Sequence, residues 1–580
     1  MLNRVHESRF GKWCRVLAVL LTMFGLAQVG GEAQAQGQGK KPNFMTAPKH
    51  KESNAPQSPG SGSPTGTGSP PRVGPNIQDN APQQAFPNGL IGRSETSIAT
   101  SDDGSQMLVG FNDAQGFCGP PFGVPCTPEN PPGVSGYAFS TDSGLTFTDG
   151  GAPFLENVFM RGDPWMDRGG TDNATFYYSS LSVDGTSGAP LGIAVYRGHF
   201  GKNTFSFSDV QTMNTPIAGD EYDKDSFASA HDGSGAAYAS VTNFIALCGF
   251  PAFGFGRPEI WRTHDGGDTW QGPVVVAPDM TLITDPANPA CGLTGILQQA
   301  TMPAIGPNGE VYVAWGAGPT FNLAGPTSGS SIMVSASFDG GVTFSTPVDV
   351  ADINSTLFNV PVGNNRSSLL DEPFIAVDTA SSHKGRIYVT FTSATSAVTP
   401  PAVVTCPAGL PAGTACVAQS LVPEQVYITY SDDRGSTWSA PTALTSAPGG
   451  NTKQWWPVVK PEPGGNVDVI YLQSPESVNA AASCIVPLDN GEVRVGSAFS
   501  LVDTYWVQSI DFASTFKAPV KVSSATSNYC TAFSDIFPNF GDYISAFATG
   551  NHVYAAWGDA RNGIPDTFDA VILGAGKSGK

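Results

Sequence analysis

Ionisable side chains recur at one place in this sequence, just ahead of short apolar runs, where their types could do acid–base or anion-holding chemistry. Arg93 and Glu95 precede Ile98-Ala99, Arg161 and Asp163 precede Trp165-Met166, and Asp220-Glu-Tyr-Asp-Lys-Asp225 precedes Phe227-Ala228. Arg366, Asp371 and Glu372 precede Phe374-Ile-Ala376, Lys453, Trp455 and Trp456 precede Val458-Val459, and Asp542 and Tyr543 precede Ile544. Asp559 and Arg561 follow the aromatic end of a later run. Two carboxyls facing one bond can serve as general acid and as base or nucleophile, which makes Asp163, Asp225 and Glu372, with Glu221 and Tyr222, the candidate catalytic residues. Arg93, Arg161, Arg366 and Arg561, with Asp542 and Tyr543, are the candidate ligand-binding groups. Trp455 and Trp456 read either as a sugar-stacking platform or as ordinary packing. The acidic run 220–225 reads either as a solvated loop or as a Ca2+ site, because Ca2+ takes oxygen ligands; no other cofactor is expected. Plainer readings stand beside each of these. An acid before a strand often binds only its own backbone turn, and an adjacent Arg and acid often form a simple ion pair. The histidines show no zinc spacing, and there is no Gly-x-Ser-x-Gly elbow and no phosphate loop.

The elements that must position these residues repeat. An acidic or polar residue, a short apolar strand, a turn and an aromatic-rich strand occur seven times, as in Glu95-Thr-Ser-Ile-Ala leading to Met107-Leu-Val-Gly-Phe111 and Glu372-Pro-Phe-Ile-Ala leading to Ile387-Tyr-Val-Thr-Phe391. A third strand follows, as in Ile332-Met-Val-Ser-Ala336. It ends in a turn of pattern Ser/Thr-x-Asp-x-Gly-x-Thr-aromatic. The copies are Ser140–Phe147, Thr263–Trp270, Ser337–Phe344 and Ser431–Trp438, with a worn copy at Ser509–Phe516 where Ala513 replaces the glycine. Asp142, Asp265, Asp339, Asp433 and Asp511 can accept backbone N–H groups within their own turns, the glycine supplies a backbone angle that a Cβ penalises, and the aromatic buries between sheets. These aspartates are structural in this reading. A fourth strand leaves the turn, as in Pro347-Val-Asp-Val350. Module two carries Gly201-Lys-Asn-Thr-Phe205 in place of the turn motif, and module seven ends at Asp569-Ala-Val-Ile-Leu573 without a fourth strand.

Four-stranded units repeated at intervals of about 60–90 residues predict an all-β chain, a single β-propeller of seven four-stranded antiparallel blades; six blades is the alternative. Arg72-Val-Gly-Pro-Asn-Ile77 is the candidate strand for completing module seven and closing the ring. The loops entering each first strand and leaving each second strand then share one open face, and the Asp turns lie at the opposite rim. A composition of 68 Gly and 48 Pro in 580 residues, with 13% charged residues, suits short strands and turns.

Residues 1–35 read as a secretory signal peptide: a basic start (Arg4, Arg9, Lys12, Arg15), an apolar run from Val16 to about Val29, and small residues at Ala33-Gln-Ala35. Residues 36–75 are rich in Gly, Pro, Ser and Gln and read as a disordered linker, leaving 76–575 for the propeller. The expected location is secreted, extracellular or periplasmic, with no membrane span in the mature chain. Loss of the signal removes four basic and two acidic groups, which takes the net charge from −20 to −22. So acidic a chain is a poor partner for nucleic acid. Cys14 lies in the signal, and the remaining eight cysteines suit disulfides. Proximity pairs Cys118 with Cys126 and Cys406 with Cys416, and elimination leaves Cys248 with Cys291 and Cys484 with Cys530.

The five turns resemble the Asp boxes, or BNR repeats, of the sialidase (neuraminidase) superfamily, and the resemblance spans residues 94–575. Gly541-Asp-Tyr543 and Trp557-Gly-Asp-Ala-Arg561 are similar to stretches of exported bacterial sialidase-like propellers. The resemblance implies a propeller and, for a sialidase, three arginines on the substrate carboxylate, a Tyr nucleophile activated by a Glu, and an Asp acid/base. The Phe/Tyr-Arg-Ile-Pro motif that usually carries the first arginine is missing; the nearest stretch is Phe159-Met-Arg-Gly-Asp-Pro164. Neighbouring strand residues point opposite ways, so adjacency alone does not make Glu221 and Tyr222 a nucleophile pair. The expectation is an exo-glycosidase acting on an extracellular glycan or glycoprotein. The alternatives are a non-catalytic glycan- or protein-binding propeller and a structural surface module.

Overall fold

The computed structural model describes residues 72–574, apart from 81–89, 117–132, 171–174, 186–188, 216–219, 245–255, 278–294, 323–324, 327–328, 369–370, 447–448, 477–483, 497–499 and 551. Among the described residues the only helical element is a single turn, Ala114–Gly116, and none is long and apolar enough to cross a membrane as a helix. Alternating apolar and polar positions, with β-branched and aromatic enrichment, drive almost everything else into antiparallel strands.

Seven of the sheets are simple up-and-down meanders. Their first strands are Arg93–Thr100 (sheet I), Val158–Arg168 (II), Glu221–Ser229 (III), Gly295–Ile305 (IV), Phe374–Val377 (V), Thr452–Pro461 (VI) and Ser545–Thr549 (VII). Each first strand touches that of the next sheet, and the first strand of VII returns to that of I. This is an arrangement of the propeller kind. Sheet VII takes its outer strand from the other end of the chain: Arg72 and Val73 pair with Leu573 and Ile572, and Ile77 and Gln78 pair with Asp569 and Phe568. Among the described residues strand structure starts at Arg72, inside the stretch read as linker.

The Asp turns share one geometry. In the turn at 337–343, Asp339 Oδ1 accepts from Ser337 Oγ at 2.8 Å and from Thr343 N at 2.9 Å, while Thr343 Oγ1 donates to Oδ2 at 2.6 Å. Asp142, Asp265, Asp433 and Asp511 repeat the Thr Oγ1 bond at 2.5–2.6 Å. Hydrogen bonds from Thr269 and then Thr263 hold the Asp265 carboxyl at about 2. The worn copy keeps the same web with Ala513 at φ 67°, a left-handed angle that glycine adopts more cheaply. Sheet II lacks the turn and has an aromatic cluster instead. Phe205 lies 4.9 Å from Phe200 and 5.1 Å from Phe207, and Phe207 lies 4.9 Å from Tyr137 of sheet I.

The repeat pattern did not reveal an accessory sheet. Insertions between the second and third strands of V and VI build it from Val403–Val404, Cys416–Ala418, Val493–Gly496 and Cys484–Pro487. Disulfides Cys406–Cys416, expected from proximity, and Cys484–Cys530, expected by elimination, fasten it. Cys118, Cys126, Cys248 and Cys291 lie outside the described residues, as does the whole signal stretch.

Ring closure carries a titratable pair. Asp79, directly after Gln78, and Asp569 are both buried, and each pushes against the other's charge or shares its proton. Burial first, then Asp569, lifts Asp79 well above the usual carboxylate range, and burial lifts Asp569 to about 7. A carboxyl raised in the folded state stabilises fully below its unfolded value, about 4, and that contribution is lost as pH rises through the folded value. Asp569→Asn, which cannot ionise, is therefore expected to raise the thermal midpoint relative to the parent at pH 8. The advantage should vanish at pH 4, in paired melts across that range.

Candidate functional site

Arg93, Glu95, Arg161, Asp163, Glu221–Asp225 and Lys453 stand inside first strands rather than in loops ahead of them, whereas Arg366, Asp371, Glu372, Asp542 and Tyr543 lie ahead of theirs. In sheets I, II, III, IV and VI the first strand carries a bulge, where its register with the second strand slips. The bulged residues Glu95, Asp163, Lys224, Ala300 and Trp456 have φ of 55°, 55°, 52°, 61° and 52°. A left-handed angle at a residue with a side chain costs on the order of 1–3 kcal/mol and persists only where its surroundings impose it. Five such residues at one level of a ring mark the axis as the special place in this molecule. Gly541 belongs to the same device: at φ 77°, an added Cβ would stand 2.2 Å from Glu95 Cγ.

Side chains from sheets I, II, III and VII, and from the segment before V, meet there. Lys224 Nζ lies 2.8 Å from Asp542 Oδ2, 3.3 Å from Asp163 Oδ2 and 3.8 Å from Asp223 Oδ1. Arg366 binds Asp542 through two nitrogens, with Nε donating to Oδ1 at 3.0 Å, and reaches Asp489 at 3.5 Å. Asn112 donates to Glu95 Oε2 at 2.6 Å and accepts from Asp163 N at 3.1 Å. Glu95 Oε1 accepts from Asp542 N at 3.2 Å, and Tyr543 OH donates to Pro164 O at 2.9 Å. Ser179 donates to Asp225 at 2.6 Å. Glu372 is 4% exposed, and neither carboxyl oxygen has a hydrogen-bond partner among the described residues.

The environment divides the acids. Burial opposes ionisation of Asp163, but Lys224 and a hydrogen bond shared with Glu95 hold it below the usual range. Burial likewise opposes Asp542, which Arg366 and then Lys224 pull down. Burial and then Asp163 push Glu95 well up, burial and then Asp542 push Glu372 well up, and burial pushes Asp225 up. Asp223 is lifted by burial to about 6. Asp163 and Asp542 thus favour the carboxylate form beside two cations, Lys224 and Arg366, while Glu95, Glu372 and Asp225 are pushed toward the protonated form. Carboxyls whose environments separate their ionisation are what acid–base chemistry requires.

Other candidates are placed elsewhere. The four arginines do not assemble: each has its own acid. Arg93 is fully buried against Asp113, Asp149 and Asp566, Arg161 pairs with Glu221 at a half-open rim, and Arg561 pairs with Asp559. Only Arg366 reaches the axis. Tyr222 is turned into the core beside Phe227, where its OH donates to Glu259 Oε2 at 3.1 Å and burial raises it, so it is not paired with Glu221. Trp455 and Trp456 are 2% and 3% exposed within the main core, so the sugar-platform reading gives way to packing. Glu221–Asp225 of that run is strand rather than loop, and its acids are split between partners: Glu221 pairs with Arg161, Asp223 lies 3.8 Å from the Lys224 ammonium, and Asp225 accepts from Ser179. No group of acids, histidines and cysteines among the described residues is arranged for a metal. The sequence reading passed over Lys224, Asn112 and Asp223. One signal was available: a lone lysine inside an acidic run that was destined for burial.

No family model matches the chain, and no curated protein does. Solved structures similar to it include a PL25 ulvan lyase at 10% identity and TM-score 0.42, covering 84% of this chain and 94% of that one. A Dyadobacter fermentans protein of unknown function shows 12% identity and TM-score 0.39 over 87% and 99% of the two chains. The GH93 α-L-arabinofuranosidase of Fusarium graminearum, solved with arabinobiose, shows 12% and 0.38 over 69% and 92%. At these TM-scores no site residue or activity carries across.

Removing the central cation leaves buried carboxylates uncompensated, a change that typically costs about 3–5 kcal/mol. Lys224→Met is expected to lose stability of that order at pH 7 in denaturant unfolding. Part of the loss should return at pH 5, because Asp163, deprived of its cation, takes up a proton more readily.

Proposed function

We propose that this chain is a secreted, seven-bladed Asp-box propeller of sialidase-like kind that hydrolyses glycosidic bonds in extracellular glycans. The cyclic order of the first strands and the N-terminal strand on sheet VII support the blade count, and the two described disulfides suit an oxidising compartment. One observation carries the catalytic reading: acids pushed toward opposite protonation states, Asp163 on a left-handed bulge and Glu372 just ahead of the first strand of V, both feel the charges of Lys224 and Asp542. Glu372, pushed toward the protonated form and without a hydrogen-bond partner among the described residues, is the general acid toward the glycosidic oxygen. Asp163, held ionised by Lys224, is the base or nucleophile. Glu95 and Asn112 position Asp163, Asp225 holds a proton beside them, and Arg161 with Glu221 forms the rim. Because three arginines do not converge, the substrate is an uncharged sugar rather than a sialoside.

A second reading, a non-catalytic glycan- or protein-binding propeller, draws on the near-complete burial of Glu95 and Asp542, each 1% exposed. A panel of fluorogenic glycosides, sialosides included, separates the two. Turnover is expected on a neutral glycoside, with kcat lower by at least about 100-fold in Glu372→Gln and in Asp163→Asn. The rate should fall in acid as Asp163 gains a proton and in alkali as Glu372 loses one. Absence of turnover across the panel favours the binding reading, and turnover indifferent to both variants removes these roles.

A further inference from the structure

Among the described residues no strand of the accessory sheet pairs with a strand of the seven ring sheets. The sheet sits instead on the segment between IV and V. Val362 of that segment packs with Val417, Cys484, Val486 and Leu488 in one small core. Asp489, in the turn joining Cys484–Pro487 to Val493–Gly496, accepts from Ser367 N at 2.9 Å, and its own N–H donates to Asn365 O at 3.1 Å. Arg494, 3% exposed in strand Val493–Gly496, donates through Nη1 to Asn364 O at 2.6 Å and through Nη2 to Arg366 O. A guanidinium can span two such carbonyls because its donors are fixed in one plane. Burial outweighs the pull of Glu476, Asp489 and Glu492 and lowers Arg494 to about 10.

The same segment is registered on the chain entering sheet VII. Asn365 N donates to Asn539 Oδ1 at 3.0 Å, and Asn539 N donates to Asn365 Oδ1 at 2.7 Å. One residue past Asn365 stands Arg366 and three past Asn539 stands Asp542, and their side chains meet. Arg494 thus grips the carbonyls on both sides of Asn365 and fixes the backbone from which the Arg366 side chain leaves. We infer that Arg494 is a positioning residue for Arg366, and that the accessory sheet carries it so that the Arg366 guanidinium stays on Asp542 at the acid cluster. The effect on rate rests on the general-acid reading of Glu372; the effect on geometry and charge does not. Arg366 faces Asp542, Asp489 and Glu95, and Glu372 feels Asp542, Lys224, Asp163 and Arg366. The Arg366 charge opposes the Glu372 proton, so displacing it lets Glu372 keep that proton to higher pH.

The test uses the full chain labelled with 13C at the glutamate side-chain carboxyl, Glu372 being assigned by the signal lost in Glu372→Gln. Arg366→Gln sets the reference, an upward shift of the Glu372 titration midpoint by at least about 0.5 pH units. Arg494→Lys keeps the positive charge but cannot span both carbonyls. It should move the midpoint in the same direction and speed amide exchange across residues 361–368 at least about ten-fold, with exchange in the first strands unchanged. When Arg366→Gln and Arg494→Lys are combined, the midpoint should match that of Arg366→Gln alone, because the lysine change acts through the arginine. On a neutral glycoside the alkaline limb of the rate profile should move up with the midpoint. If no glycoside is turned over, the general-acid reading falls, and the carboxyl signal still decides the positioning. An unchanged midpoint in Arg494→Lys, or a shift in the double variant equal to the sum of the two single ones, would overturn the inference.

Discussion

Charge must balance at an axis that water barely reaches. First strands from every side bring polar side chains to one small volume, and an isolated ion there would cost several kcal/mol. Lys224 and Arg366 answer this by sharing Asp542, with Asp163 on the other side of the ammonium. Burial pushes Glu95, Glu372 and Asp225 toward the neutral form. Because the partners come from sheets that are not neighbours, III with VII and the V segment with VII, these bonds cross the axis rather than follow the ring. The centre is thereby held by polar contacts and the spaces between sheets by apolar ones.

The bulges make that centre possible. A regular first strand would alternate its side chains between the two adjoining sheets and present only backbone to the axis. One extra residue, so that two positions, the first of them left-handed, oppose one on the second strand, turns a side chain inward while pairing resumes on either side. Where the inward residue is Glu95, Asp163 or Lys224 the result is a cluster of charges; where it is Trp456 or Ala300 it is filling. One backbone device thus serves both packing and the candidate site, which explains why acids and tryptophans occupy equivalent places in the repeat.

The sequence disclosed the repeat well, because its signals are local. Each Asp turn completes its hydrogen bonds within a few residues, and each strand pair is read from alternation. The closing strand at Arg72 was legible as the piece that module seven lacked. Contacts set by distant residues stayed hidden. The choice of Asp542 as partner of Lys224, the dispersal of Arg93, Arg161 and Arg561 onto separate acids, and the turning of Tyr222 toward Glu259 all depend on which sheets face which. The accessory sheet escaped notice because its strands are two to four residues long and come from two insertions. Only its cysteines were visible.

The pairing of Arg72 and Val73 with Ile572 and Leu573 has a consequence for biosynthesis. The earliest described strand finds its neighbour only when the last one has been made. Until then every intermediate carries two raw sheet edges, the state most prone to joining other chains. Assembly is thus committed late, by contact between segments at opposite limits of the polypeptide. A chain lacking Arg72–Gln78 would leave the strand Asp566–Leu573 at the outer edge of sheet VII without its partner.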